Sequence, residues 1–126
     1  MRFSFTKAER LWGHNALENL YQKGKSFQTV YFKIIYLSAE RSEDIPCRIA
    51  FSAPKKSFKK AVTRNLLKRR MKEAYRLQKH NLYKHLIEKQ TNIDVFVIYL
   101  PKKEHDYNEI YSGMTAALQT LQEKIT

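Results

Sequence analysis

Between Lys55 and Lys79 the chain sets eleven basic residues against one acid, Glu73. They are Lys55, Lys56, Lys59, Lys60, Arg64, Lys68, Arg69, Arg70, Lys72, Arg76 and Lys79. The whole chain carries +12, so about a fifth of its length holds nearly all of the excess. The chemistry such residues offer is phosphate recognition: arginine presents a planar fork to phosphate oxygens and lysine a mobile point charge. A surface charged only for solubility mixes its signs. A block this one-sided predicts a polyanionic partner, with nucleic acid ahead of an acidic membrane surface.

The same stretch has helical spacing. At ~100° per residue, Leu67, Met71, Ala74 and Tyr75 fall on one stripe, with Leu82 beside it if the helix continues. That stripe is core. Opposite it, Asn65, Lys68, Arg69, Lys72, Arg76 and Lys79 share a second face. Like charges at i, i+4 repel by a few tenths of a kcal/mol per pair, so folding alone would not select this row; phosphates would. Tyr21, Tyr31, Phe32 and Tyr36 offer rings for stacking unpaired bases, although core packing is the favoured reading of each.

No catalytic constellation accompanies the basic block. His14, His80, His85 and His105 lack the i, i+4 spacing of helical metal ligands and read as surface residues. The acids are scattered, whereas a two-metal nuclease needs them clustered. No Gly-rich phosphate loop or Gly-x-Ser-x-Gly elbow is present. Any reaction this protein serves is expected to have its chemistry in the partner, with no catalytic residue, metal ligand or cofactor in the chain itself. The lone cysteine, Cys47, reads as a small buried strand residue and suits a reducing compartment. No apolar run approaches the ~18 residues of a membrane span, and MRFSFTKAERLW lacks the form of a signal peptide. A cytoplasmic protein without membrane contact is expected.

Elements must position the basic face. Thr6 and Glu9 have capping-box spacing, and HNALENLYQKG reads as a helix with Leu17, Leu20 and Tyr21 on one side and Gly24 as its C′ residue. Residues 26–38 read as strand, in one or two pieces, ERSEDIP as a polar turn, and CRIAFSA as the next antiparallel strand. NIDVFVIYL is a buried strand, and a terminal amphipathic helix begins at Asp106 or Tyr107. Residues 80–91 either extend the basic helix or start a short one. The order α-β-β-β-α-β-α, or one strand fewer, predicts a single domain over residues 1–126 of the α+β class, built as a two-layer α-β sandwich.

These residues resemble a known family. Lys55-Lys56, then Ala61-Val62-Thr63-Arg64-Asn65, then Lys68-Arg69 look like the signature of the bacterial ribonuclease P protein subunit, and the likeness covers essentially the whole chain. The resemblance implies a sandwich similar to a ribosomal-protein domain, with a left-handed β-α-β crossover. It implies a subunit of an endoribonuclease that removes the 5′ leader of precursor tRNA by phosphodiester hydrolysis. The RNA subunit is then the catalyst and holds the Mg²⁺, and the protein is a monomer within the holoenzyme, contacting that RNA and the precursor.

Position by position, the resemblance assigns leader binding to Leu17, Tyr21, Lys33, Ile35, Asn65, Lys68, Arg69 and Lys72. Lys55, Lys56, Arg64 and Arg70 address the catalytic RNA, and Arg76 and Lys79 extend the basic face. The chain departs from the family pattern at three positions: Leu66 replaces an arginine, Lys72 a frequent arginine and Leu17 a frequent phenylalanine. The competing reading is a general RNA-binding or ribosome-associated protein with no processing role, which would not require this spacing.

Overall fold

Two runs rich in β-branched and aromatic residues, Phe32–Ala39 and Asn92–Tyr99, pair antiparallel along their lengths, from Phe32 opposite Tyr99 to Ala39 opposite Asn92. They are the central strands of a four-stranded sheet in the computed structural model, which describes residues 4–41 and 44–125. In chain order the elements are a 3-10 turn (Lys7–Glu9), α1 (His14–Lys23), β1 (Lys25–Gln28), β2 (Phe32–Ala39), β3 (Cys47–Ser52), α2 (Ala61–Glu88), β4 (Asn92–Tyr99) and α3 (Tyr107–Lys124). The expected α+β sandwich is present, and the strand foreseen over 26–38 is split into β1 and β2. The polar turn foreseen over 40–46 lies partly outside the described residues, as do residues 1–3.

Two local expectations are corrected. β3 is a strand, but it runs parallel to β4 and forms the sheet edge in the order β1-β2-β4-β3. The 28-residue α2 supplies the long crossover that a parallel neighbour needs; sequence adjacency had suggested pairing with β2. Gly24 is extended, with φ −73°, rather than left-handed. Its requirement is space: a Cβ there would meet the Leu20 carbonyl oxygen at 2.5 Å and Ile35 Cγ2 at 2.8 Å.

The pleat sends alternate residues to opposite faces. Phe32 and Ile34 of β2, Cys47, Ile49 and Phe51 of β3, and Ile93, Val95, Val97 and Tyr99 of β4 pack with α2 and α3 into the main core. The other face carries Ile35 and Phe96, buried with Leu11 and Leu20, with Ala50 and Ile98 packed against them; α1 covers this face only in part. Leu67, Met71, Ala74, Tyr75 and Leu82 are all buried on α2, as their spacing predicts. Each such large apolar side chain contributes roughly 1.5–3 kcal/mol, enough to fix which side of α2 faces outward.

Leu86 continues the stripe, which is why residues 80–88 remain one helix. The helix stops at Gln90, whose φ is +53°. Thr91 N donates to Leu86 O at 3.0 Å and Gln90 N to Ile87 O at 3.1 Å, the Schellman pattern with glutamine where glycine is usual. α3 begins under Asp106, whose carboxylate accepts from Glu109 N at 2.9 Å. Among the described residues no helix is long and apolar enough to cross a membrane.

Candidate nucleic-acid interface

α2 starts without the usual compensation of a helix N-terminus. Its N-cap is Lys60, which makes no side-chain capping bond, and its first turn has no acid. The positive end of the helix dipole thus faces Lys59, Lys60 and Arg64, where an anion would be favoured. One turn further on, Asn65, Arg69 and Lys72 are exposed and Lys68 half-buried, and none of these cations enters an ion pair among the described residues. Lys72 has its pKa lowered, first by burial and then by the positive charges of Arg10 and Lys68. An anion placed among the three would relieve that repulsion.

The three cations face a groove of about 510 Å³ whose walls also carry Phe5, Trp12 and Phe51. Among the described residues no acidic side chain lines it. Its outer wall is the segment before α1, held to the edge of β3 by the Leu11 N to Ile49 O bond of 3.0 Å. Arg10 bridges to Ile49, and its guanidinium lies 5.5 Å from the Phe5 ring centroid. Phe5 in turn packs edge-on against Tyr75 at 5.8 Å. Arg10 and Trp12 are the residues missed in reading the sequence. Their signal was an arginine and a lone tryptophan between a capping box and Gly13, outside any periodic run.

The predicted residues of α1 and β2 do not line this groove, although Leu17 and Ile35 pack in one cluster with Leu11 and Ala50, which do. Tyr21 is 59% exposed, with its ring edge-on to Phe96 at 5.9 Å, and Lys33 is half-buried opposite Ile98. Leu17 packs against the cluster of Leu11, Leu20, Ile35 and Phe96. Ile35 itself is only 4% exposed, so it is a floor beneath α1 and presents little surface to a ligand. Of the four aromatics considered for stacking, Phe32 is buried and Tyr31 and Tyr36 are half-buried, leaving Tyr21 as the open ring.

Several predicted cations make contacts within the chain. Arg64 curls back to donate to the carbonyls of Phe58 at 2.8 Å and Lys59 at 2.9 Å, bracing the turn that displays exposed Lys55 and Lys56. Arg70 donates to the His105 carbonyl at 2.7 Å and pairs with Glu104 at 3.1 Å. The His105 side chain is largely covered there rather than at the surface, with Nδ1 2.9 Å from Glu109. Arg76 pairs with Glu73 at 2.5 Å. Lys79 departs furthest from its expected place: it is 3% exposed, pairs with Glu9 at 2.5 Å and also donates to the Ser4 carbonyl.

Burial by itself would raise the Glu9 pKa. Hydrogen bonds from Lys79 and Tyr83 outweigh it and hold the carboxyl below its ordinary value. This pair ties α2 to the 3-10 turn and so supports the groove wall. Helical spacing put Lys79 on the charged side, but the chain before α1 covers that side at this level of the helix. Leu66, one of the three departures from the family pattern, is half-buried. Cys47 is buried and its thiol is pushed up to about 12 by desolvation, which makes it unreactive.

Comparison with known proteins bears on the family and the fold. The family model Ribonuclease P matches residues 5–122. The ribonuclease P protein component of Porphyromonas gingivalis is 28% identical over 116 residues, covering 92% of this chain and 85% of that protein. The ribonuclease P protein of Staphylococcus aureus has a TM-score of 0.68 at 24% identity, covering 91% of this chain and 96% of that one. The protein from Thermotoga maritima has a TM-score of 0.67 at 23% identity, covering 89% and 96%. At these identities the two structures speak for the fold.

Proposed function

This chain belongs to the ribonuclease P protein family, and on that premise we propose that the open front of α2 grips the 5′ leader of precursor tRNA. Asn65, Lys68, Arg69 and Lys72 supply the contacts, and Tyr21 and Lys33 extend them across the α1 side of the sheet. The exposed Lys55–Lys56 turn docks on the catalytic RNA, with Arg64 and Arg70 holding the loops around it in shape. Leu17 and Ile35 support the leader surface from beneath, and Arg76 adds a charge partly offset by Glu73.

The observation that carries this reading is the set of cations Arg10, Lys68 and Lys72 around a groove that no acid lines among the described residues. In a folded protein like charges at this spacing are held at a cost, and polyanion binding reverses its sign by releasing counterions from the RNA. Among the described residues no three Asp, Glu, His or Cys side chains converge. In keeping with what the family resemblance implies, the reading leaves phosphodiester hydrolysis and its Mg²⁺ with the RNA subunit and gives this chain the work of binding and orienting. Its compartment is then the cytoplasm, where precursor tRNA and the catalytic RNA meet.

Reconstitution tests it. The catalytic RNA is assayed for leader cleavage at low Mg²⁺ with and without this protein. A clear gain in cleavage is expected on adding protein, and none from protein alone. No gain, with RNA binding retained, would instead assign the chain to general RNA binding.

A further inference from the structure

Trp12 is the only tryptophan in the chain, and 75% of it is exposed. An indole left in water forfeits its hydrophobic contribution, yet the backbone that presents it is firmly placed. Leu11 on one side is buried under α1 and bonded to Ile49. Gly13 on the other has φ +102°, a conformation other residues rarely adopt, and its carbonyl accepts from Leu17 N at 3.3 Å to open α1. The ring is therefore held out on a fixed hinge beside Arg10, Lys68 and Lys72, and it lines their groove.

An aromatic platform next to cations is the arrangement that receives an unstacked nucleotide: the ring takes the base and the cations take its phosphate. A paired base hides its faces within the helix stack, so a duplex cannot use the indole in this way. We propose that Trp12, with Arg10, Lys68 and Lys72, forms a subsite for one unpaired nucleotide of the precursor's leader, its base stacked on the indole. The subsite rests on the leader-binding reading above and adds a contact on the groove's outer wall, which Tyr21 does not line. Because indole stacking tolerates every base, the subsite responds to the presence of a nucleotide there more than to its identity.

The sole tryptophan also reports on itself. Holoenzyme assembled with the catalytic RNA is titrated with leader-bearing precursor tRNA and, separately, with mature tRNA, while indole fluorescence is followed. The expected result is quenching by the precursor and little by mature tRNA. Trp12→Ala should weaken precursor binding roughly 5- to 150-fold, and Trp12→Phe should keep most of it. Both variants should fold, since the side chain is exposed.

Quenching complete on adding catalytic RNA alone would overturn the subsite, since Trp12 would then face that RNA. Equal quenching by both tRNAs, or unchanged precursor affinity in Trp12→Ala, would overturn it as well. If wild-type protein stimulates low-Mg²⁺ cleavage and Trp12→Ala matches it in cleavage and affinity, only the subsite fails. If wild-type protein gives no stimulation, the functional reading itself fails.

Discussion

The front and rear of α2 carry similar side chains to different ends. Before Glu73, Lys68, Arg69 and Lys72 stand on or beside the groove, with no acidic partner among the described residues. After it, Arg76 is paired within the helix and Lys79 is buried against Glu9. What separates the halves is the chain before α1. It crosses the helix at the level of Lys79 and Tyr83, where Glu9 faces both, and leaves the front turns open. A basic residue count therefore overstates the binding face, because part of the charge is spent in holding the groove's wall.

The largest effect should come from the rear. Lys79→Met leaves the Glu9 carboxylate in a covered site without its cation, a change that costs about 3–5 kcal/mol. Thermal or denaturant unfolding would read it directly. Arg69→Ala on the open front should change stability by less than about 0.5 kcal/mol. Equal losses for the two variants would erase the distinction between the halves.

Arg64 offers an intermediate case. Removing its bonds to the Phe58 and Lys59 carbonyls should destabilise the protein by about 1–2 kcal/mol and loosen the Lys55–Lys56 turn. Affinity for the catalytic RNA should fall, and Arg64→Lys should restore little of it, because an ammonium does not reproduce the fork. Unchanged assembly in Arg64→Ala would remove that turn from the catalytic-RNA interface.

A smaller effect should follow acidification. The Glu9 pKa is lowered from 4.5 in the folded protein, so its contribution is fully present above pH 4.5 and lost as pH falls through the lower folded value. Stability measured across this window should fall less steeply in Glu9→Gln than in wild type. Parallel slopes would show that the anchor carries no ionic component.

These halves also mark what could be read from sequence. Leu67, Met71, Ala74, Tyr75 and Leu82 were legible because helical periodicity is local and their burial follows from it. Lys79 was illegible because its partner lies 70 residues away, and periodicity cannot see what covers a helix face. β3 was recognised as a strand from its composition, but its parallel pairing depends on where α2 returns the chain. The end of α2 was hidden because Gln90 occupies a left-handed position without a glycine to announce it. The front of the site was legible as charge, yet Arg10 and Trp12 join it through long-range contacts, the β3 edge among them.

The central claim, that the front of α2 holds the leader, is tested most directly by holoenzyme binding with Lys68→Ala plus Arg69→Ala. Affinities for leader-bearing precursor and mature tRNA are measured across a salt series. A selective loss for the precursor is predicted, with its salt dependence reduced by about 1.4 in log–log slope if two single-strand phosphate contacts disappear. Equal losses for precursor and mature tRNA would contradict the claim and assign this face to the catalytic RNA or the tRNA body.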